Sequence, residues 1–226
     1  YINISVRHRY YYPIKYNMPH IIKFLLIITG LFLAYPASAG FSLNVQVDGV
    51  ENNIRENVLS TLSIEQQKNH PKLAEGRIAR LHHKAINEIH QSIQPFGYYQ
   101  ADIEARLHEK DDQWSAYYNI KLGEPVRVAA IDIQLFGEGK SDNILTELIT
   151  HFPLATGNIL IHADYEKGKN ELIKQATEQG YIDVKLKTHD VIIDLEDNTA
   201  TITLHIDTGP LYHMGEIIFD QQILSE

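Results

Sequence analysis

One sequence pattern occurs twice in this chain at a nearly constant interval. A helical pattern ends at Gly97 and again at Gly180, and each glycine precedes an aromatic residue and a stretch of alternating apolar and polar residues. A second alternating stretch leads to Gly123 in the first copy and to Gly209 in the second. The paired glycines are 83 and 86 residues apart. This regular period predicts a tandem array of one small domain, and such arrays usually bind other molecules rather than catalyse reactions.

The first copy contains five predicted elements in the order β-α-α-β-β. Residues 41–49 alternate between apolar and polar side chains, which predicts a strand with one buried face. Residues 51–62 and a longer segment that ends near residue 94 carry apolar residues three and four positions apart, which predicts two amphipathic helices. Two further alternating stretches, 99–107 and 114–122, predict a hairpin. The expected fold class is therefore α+β.

The second copy repeats this order. Residues 141–142, Ser and Asp, predict the start of a short helix, and Asp164 is expected to cap a longer one. After the helix stop, Ile182, Val184 and Leu186 are expected to line the inner face of a strand.

A third copy begins near the end of the sequence. Residues 215–220 lie 86 positions after residues 129–134 and show a similar apolar pattern. Because a single strand cannot bury its apolar face alone, we expect this chain to be the N-terminal part of a longer protein. The predicted domains are 40–124, 125–209 and an incomplete third domain, 210–226, that holds only its first strand.

The N-terminal region has the pattern of a secretory signal peptide over residues 18–39. Its apolar run, 24–34, is 11 residues long, whereas a bilayer span needs roughly 20. A small-x-small motif then predicts cleavage between Ala39 and Gly40. Residues 1–17 are basic and rich in tyrosine, and we interpret them as an upstream extension from a mis-assigned start, with a long basic signal segment as the alternative.

The charge of the chain limits its partners. Residues 1–39 hold four basic residues and no acidic one, so their removal from the 20 basic and 29 acidic residues leaves 16 against 29, a formal net charge of −13. Such a surface repels nucleic-acid phosphates and anionic lipids. The sequence has no cysteine, which excludes disulfides, thiolate nucleophiles and cysteine-ligated zinc.

The order and spacing of these elements resemble POTRA domains, the polypeptide-transport-associated modules of outer-membrane assembly factors. Within that superfamily the sequence is most similar to the TamA branch, the outer-membrane subunit of the translocation and assembly module. The resemblance covers about residues 41–226, and it depends on four motifs. These are Leu59-Ser60-Thr61-Leu62, Phe96-Gly97-Tyr98-Tyr99-Gln100-Ala101-Asp102-Ile103, Asp164-Tyr165-Glu166-Lys167 and Gly180-Tyr181-Ile182-Asp183.

The resemblance implies tandem domains, each with a three-stranded mixed sheet on two helices, in the periplasm of a Gram-negative bacterium. TamA-like proteins continue into an outer-membrane β-barrel, which this sequence lacks. Their implied partners are a TamB-like protein anchored in the inner membrane and outer-membrane protein substrates such as autotransporters. A scaffold that recruits these partners is the expected function, with no cofactor and no nucleic acid. The POTRA region of another assembly factor or of a two-partner secretion transporter is the alternative.

The candidate binding site is the exposed edge of the first sheet. If the last strand of the unit pairs with its first strand, the intervening strand lies at an edge, where a partner strand can add by β-augmentation. The proposed residues are Tyr99, Ala101, Ile103, Ala105 and Leu107. The alternative is an ordinary half-buried strand whose edge is protected by charges. In the second copy, Lys185 and Lys187 have the pattern of such protection.

The sequence contains none of the common catalytic motifs: no nucleophile elbow, no Walker loop and no dinucleotide-binding glycine pattern. We therefore expect no catalytic residues and no enzyme activity. A secreted hydrolase that uses a carboxylate pair at the junction between the two copies remains the alternative from another class. Twelve histidines raise the question of a metal site, but the densest group, His82, His83 and His90, lacks an i, i+4 pair. These residues and His205 are expected to be solvated surface side chains.

Overall fold

A computed structural model describes residues 42–111, 113–213 and 215–216. The predicted signal peptide with its Ala39–Gly40 cleavage site, and the predicted strand of a third domain beyond residue 216, lie outside the described residues. Within the described part, no helix combines the length and the apolar character needed to cross a membrane. The first unit consists of β1 (Ser42–Asp48), α1 (Asn52–Thr61), α2 (Ser63–Gln66), α3 (Glu75–Ile93), β2 (Asp102–Lys110) and β3 (Gln113–Lys121).

The second unit repeats this architecture. Short 3-10 helices follow α3 in the first unit and β4 in the second. The second unit consists of β4 (Arg127–Phe136), α4 (Asn143–Thr150), α5 (His162–Glu178), β5 (Lys185–Asp194) and β6 (Thr199–Asp207).

Each unit contains its own three-stranded mixed sheet. The strand order is β1-β3-β2 in the first sheet and β4-β6-β5 in the second. In both sheets the last strand is central: it pairs in parallel with the first strand, as in Val45 opposite Ala116, and antiparallel with the second, as in Ala105 opposite Tyr118. This confirms the predicted α+β fold of tandem units. It also places β2 and β5 at sheet edges.

The first core lies between the sheet and the apolar stripe of α3. Ile78, Ala85, Ile89 and Ile93, predicted from their spacing, are fully buried, while Leu81 is partly buried. Burial of one such aliphatic side chain stabilises a fold by roughly 1.5–3 kcal/mol, so this stripe anchors the helix pair to the sheet. Periodicity alone therefore located the main helix of the first domain correctly.

The sequence pattern did not predict a buried carboxylate on the same helix. Glu88 is 6% exposed, and its side chain accepts hydrogen bonds from the Ser63 backbone N–H at 2.8 Å and from the Ser63 hydroxyl. The Lys84 ammonium lies 2.8 Å from the same carboxylate. Burial raises the pKa of Glu88, but the hydrogen bonds from Lys84 and Ser63 outweigh it, so the net pKa shift is downward. The ionised carboxylate thus ties α2 to α3.

The helix starts of the second unit differ in part from the prediction. Asp142 caps α4 as expected, and its carboxylate accepts hydrogen bonds from the Ile144 and Leu145 backbone N–H groups at 2.9 and 3.1 Å. Asp164, in contrast, lies in the first turn of α5, whose N-cap residue is Ile161. The cap prediction for Asp164 was therefore wrong, because the helix begins at His162, two residues earlier.

Candidate binding surfaces at the sheet edges and the domain junction

The predicted binding residues divide between the edge strand and the segment before it. Ile103, Ala105 and Leu107 lie on β2, are half-buried and pack against the first core. Tyr99 and Ala101 precede the strand, which begins at Asp102. The inward face of β2 therefore belongs to the core. Its available binding groups are the backbone N–H and C=O groups along the edge away from β3, which pair with no other strand in the described part of the chain.

Charged residues cover the outward face of β2. The Arg106 guanidinium lies 3.4 Å from the Glu104 carboxylate, and Lys121 of β3 lies 3.3 Å from Glu104 and 3.6 Å from Asp102. These pairs are exposed, so each contributes little to stability. They cover one face of the sheet and leave the backbone edge between the two faces open to a partner strand.

Tyr99 occupies a different place from the one predicted. Its ring packs against the core of the second domain, and its hydroxyl lies 2.6 Å from Nε2 of His162 in the first turn of α5. Burial raises the pKa of the Tyr99 hydroxyl. Burial also lowers the pKa of His162, against the opposing effect of the Glu166 carboxylate. Tyr99 is therefore a contact between the two domains, and sequence reasoning missed its partner His162.

The junction continues through backbone contacts around Gly97. Its carbonyl accepts a hydrogen bond from the Val126 N–H at 2.8 Å, and the Leu160 N–H donates to the Val126 carbonyl at 2.9 Å. Gly97 has a φ of +88°, and a Cβ there would lie 2.7 Å from Cγ2 of Ile159. The glycine thus ends the helical segment, as predicted, and also allows the second domain to approach.

The second edge strand begins later than predicted, at Lys185. Ile182 was expected on the inner face of the strand, but it lies in a turn before β5 and is 60% exposed. The register of β5 against β6 shifts between Leu186 and Thr188. Lys187, assigned above to edge protection, is held by the Asp207 carboxylate at 3.0 Å and lies 4.5 Å from the centroid of the Phe136 ring. The prediction was therefore wrong for Ile182, because the strand begins only at Lys185, whereas Val184 and Leu186 pack against buried residues of the second domain as predicted.

A cavity of about 280 Å³ lies where β5, the start of α5 and Tyr99 meet. Val191 and Ile193 of β5 form one wall, and His162 and Tyr165 of α5 form another. Tyr165 is 6% exposed, and its hydroxyl has no hydrogen-bond partner among the residues the structure describes. This small site is partly apolar and is shared by both domains.

Two histidines predicted to be solvated have specific partners. Nδ1 of His82 lies 2.9 Å from the Tyr118 hydroxyl, and burial, followed by the charge of His83, lowers the pKa of His82. Nε2 of His205 lies 2.9 Å from the Asp132 carboxylate. The expectation of a solvated side chain was therefore wrong for His82, whereas His205 lies partly exposed on the surface and forms an exposed hydrogen bond there. No group of three or more potential metal ligands occurs among the described residues.

Family comparisons match both units. Residues 44–122 match the family model for the POTRA domain TamA domain 1. Residues 126–209 match a POTRA model described as a surface antigen variable number repeat. The two matches together cover most of the chain, which therefore belongs to the POTRA-domain family. Its first domain is of the TamA type.

Several solved structures are also similar at low identity. POTRA domains 3–5 of BamA from Haemophilus influenzae align with 17% identity and a TM-score of 0.42, covering 82% of this chain and 73% of that one. POTRA domains 1–2 of the periplasmic domain of Omp85 from Anabaena align with 15% identity and a TM-score of 0.34, covering 75% and 94%. CdiB from Escherichia coli aligns with 17% identity and a TM-score of 0.29, covering 77% and 30%.

Proposed function

We propose that this chain is the periplasmic docking region of a TamA-type outer-membrane assembly factor. It recruits a TamB-like partner, outer-membrane protein substrates such as autotransporters, or both, by addition of a strand to the edge of β2. The signal peptide at residues 18–39 delivers the chain to the periplasm. The domains span 40–124 and 125–209, and a third begins at 210.

The open edge of β2 is the observation that carries this proposal. The strand is nine residues long, and it pairs with β3 on one side only within the described residues. Strand addition uses the backbone groups of such an edge for affinity, and neighbouring side chains adjust specificity. The ion pairs of Glu104, Arg106 and Lys121 satisfy one another on the sheet face, so an added strand need not disturb them.

An enzymatic function has less support. The hydrolase alternative required a carboxylate pair at the junction between the domains. The junction residues described above are joined by Tyr99, His162 and backbone hydrogen bonds, and the nearby Glu166 carboxylate is held by the Lys169 ammonium at 2.6 Å. These junction contacts thus include a carboxylate–ammonium pair, and not the pair of carboxylates that the hydrolase alternative required.

A matched pair of proline variants tests the docking edge. Successive N–H groups of a strand point to opposite edges, so one of the two variants Ile103→Pro and Glu104→Pro loses an N–H that faces β3, and the other loses an N–H that faces the open edge. We call the first the ladder variant and the second the edge variant. We expect the edge variant to remain folded by circular dichroism and to bind the purified periplasmic part of the TamB-like partner at least about 10-fold more weakly, whereas the ladder variant loses stability. Equal partner binding by the folded edge variant and by the unaltered chain would contradict the proposal.

A further inference from the structure

The backbone that joins the first domain to the second has a counterpart at the far end of the second domain. The Val126 N–H donates a hydrogen bond to the Gly97 carbonyl at 2.8 Å, and the Tyr212 N–H donates one to the Gly180 carbonyl at 3.0 Å. Both glycines have a positive φ, +88° and +105°. Val126 and Tyr212 are 86 positions apart, which is the period of the sequence repeat. Tyr212 therefore occupies the place of Val126 in the repeated architecture.

The match extends to a second pair of glycines. Gly123 and Gly209 both have a positive φ, +74° and +68°. A Cβ on Gly123 would lie 3.2 Å from the Gln100 carbonyl oxygen, and a Cβ on Gly209 would lie 3.1 Å from Cβ of Asp183. Gln100 and Asp183 each follow their helix-stop glycine by three positions. The two segments therefore share one backbone arrangement, and their residues can be compared position by position.

The side chains at equivalent positions differ in burial. At the first junction, Tyr99 packs against the core of the second domain, and Val126 is fully buried in that core. Ile182, the equivalent of Tyr99, is 60% exposed, and Tyr212 is 48% exposed. No residue in the described part of the chain covers them as the second domain covers the first pair. Large apolar side chains that lie together on a surface mark an interaction site.

The segment that carries Tyr212 is held against the second domain. The Tyr212 hydroxyl donates a hydrogen bond to the Asp183 carboxylate at 2.8 Å, and the Leu211 N–H donates one to the Glu138 carboxylate at 2.8 Å. Together with the backbone bond to Gly180, these contacts fix the direction in which the chain leaves the domain. A surface ordered in advance loses less conformational entropy when it binds.

The sequence supplies an occupant for this surface. Residues 215–220 lie 86 positions after residues 129–134 and repeat their apolar pattern. A further repeat thus follows Tyr212 as the second domain follows Val126. Because this repeat is joined to the surface by the chain itself, its effective concentration there is far higher than that of a separate partner.

We propose that Ile182 and Tyr212 form the docking surface for the third domain of the same chain, which packs on the second domain as the second packs on the first. This inference rests on the third domain that the proposed function places from residue 210, and it goes further by assigning the contact. Ile182 has no hydroxyl, so the second junction has no counterpart of the hydrogen bond between Tyr99 and His162. Its contact is apolar.

Single cysteines test the docking surface, because the sequence has no native cysteine. Ile182→Cys and Ile192→Cys place thiols at positions that are 60% and 67% exposed. In the chain of residues 40–226, both thiols should react with the disulfide reagent DTNB at rates within about 3-fold of each other, since thiol reactivity requires solvent access. In the full-length protein, Ile182→Cys should react at least about 10-fold more slowly, whereas Ile192→Cys should keep its rate.

Two further variants complete the experiment. Val126→Cys, at the fully buried position of the first junction, should react slowly in both proteins and gives the rate of a covered thiol. Tyr212→Cys is the second probe of the surface if circular dichroism shows that Ile182→Cys unfolds, and it should be protected only in the full-length protein.

Equal rates for Ile182→Cys and Ile192→Cys in the full-length protein, whether fast or slow, would overturn the inference. Slow reaction of Ile182→Cys in the chain of residues 40–226 would overturn it as well, because something other than the third domain would then cover the site. A full-length sequence without a third repeat would contradict both this inference and the proposed domain order. If the β2 edge variant loses partner binding while Ile182→Cys stays reactive in the full-length protein, the proposed function stands and only this inference fails.

Discussion

The Tyr99 hydroxyl of the first domain lies 2.6 Å from Nε2 of His162 in the second, and this hydrogen bond joins two residues that are 63 positions apart. Both groups are partly buried, which raises the pKa of Tyr99 and lowers that of His162. The neutral imidazole is therefore the favoured form in the folded protein. In the neutral ring, Nε2 can accept a hydrogen bond from the Tyr99 hydroxyl. In the protonated ring, both nitrogens carry a proton and neither can accept.

We expect this arrangement to make stability depend on pH. The pKa of His162 is lower in the folded chain than its ordinary value of 6.5, so the unfolded chain binds more protons between the two values. The contribution of His162 to the free energy of unfolding should therefore be fully present above pH 6.5. It should decrease as the pH falls toward the lowered pKa of His162 in the folded chain. Urea denaturation at several pH values should show this slope, and His162→Gln should reduce it. His82, whose pKa is also lowered, contributes in the same direction.

His189→Gln is the matched control for this measurement, because His189 is an exposed residue of β5. The downward pKa shifts of Glu88 and Asp207 act in a separate window, below the ordinary values of 4.5 and 3.8. A slope that is the same in the unaltered chain and in His162→Gln would exclude His162 as its source.

Gly97→Ala should destabilise the chain more than a glycine substitution with the same backbone angle elsewhere. Gly97 and Gly157 both have a φ of +88°, but a Cβ meets Cγ2 of Ile159 at 2.7 Å in the first case and nothing within 4 Å in the second. The left-handed conformation costs about 1–2 kcal/mol in either variant, and overpacking adds roughly 1–3 kcal/mol at Gly97 alone. Chemical denaturation of the two variants measures the difference. Equal losses of stability in the two variants would mean that the residues around Gly97 move to make room for the added methyl group at little cost.

Local sequence periodicity predicted the elements whose structure is set locally. The stripe Ile78, Ala85, Ile89 and Ile93 was correct, because helical spacing alone determines which residues share a face. The glycine stop at Gly97 was also correct, since a positive φ favours glycine regardless of context. The strand order confirmed the prediction that β2 is an edge.

Contacts between distant residues could not be predicted in this way. No periodic pattern indicates that Tyr99 contacts His162. The register shift in β5 is equally hidden, because no residue pattern distinguishes it from a regular strand. The buried Glu88 was equally hidden, because a glutamate between Ala85 and Ile89 has the sequence appearance of a solvated helix residue. The junction, which these contacts define, therefore emerged only from the structure.

Glu88→Ala should cost far more stability than Lys84→Met. The Ala variant removes two hydrogen bonds that the partly buried Ser63 N–H and hydroxyl donate to a carboxylate, and hydrogen bonds to charged groups contribute about 1.5–3 kcal/mol. The Lys84 side chain is 62% exposed, so its removal should cost less than about 1 kcal/mol. Free energies of unfolding at pH 7 compare the two. Equal losses would show that the ion pair, rather than the Ser63 bonds, dominates.

Gly168→Ala tests how closely α5 packs against the loop that precedes it. A Cβ at Gly168 would lie 2.7 Å from Cζ of Phe152, and Phe152 itself packs against the second core. Alanine improves helix propensity by about 1 kcal/mol over glycine. Because overpacking typically costs 1–3 kcal/mol, we expect a net loss of stability and a displaced Phe152 ring.

Gly76→Ala isolates the propensity effect for comparison. Gly76 lies in the first turn of α3, and the nearest atom to an added Cβ is an Arg80 guanidinium nitrogen at 3.7 Å. This variant should therefore gain up to about 1 kcal/mol. Thermal and urea denaturation of Gly76→Ala and Gly168→Ala measure whether each change raises or lowers stability. The double variant Gly168→Ala/Phe152→Leu should recover part of the stability lost by Gly168→Ala, because the smaller side chain relieves the overlap. A stabilised Gly168→Ala variant would mean that Phe152 moves aside at little cost, and that this wall of the second core is loosely packed.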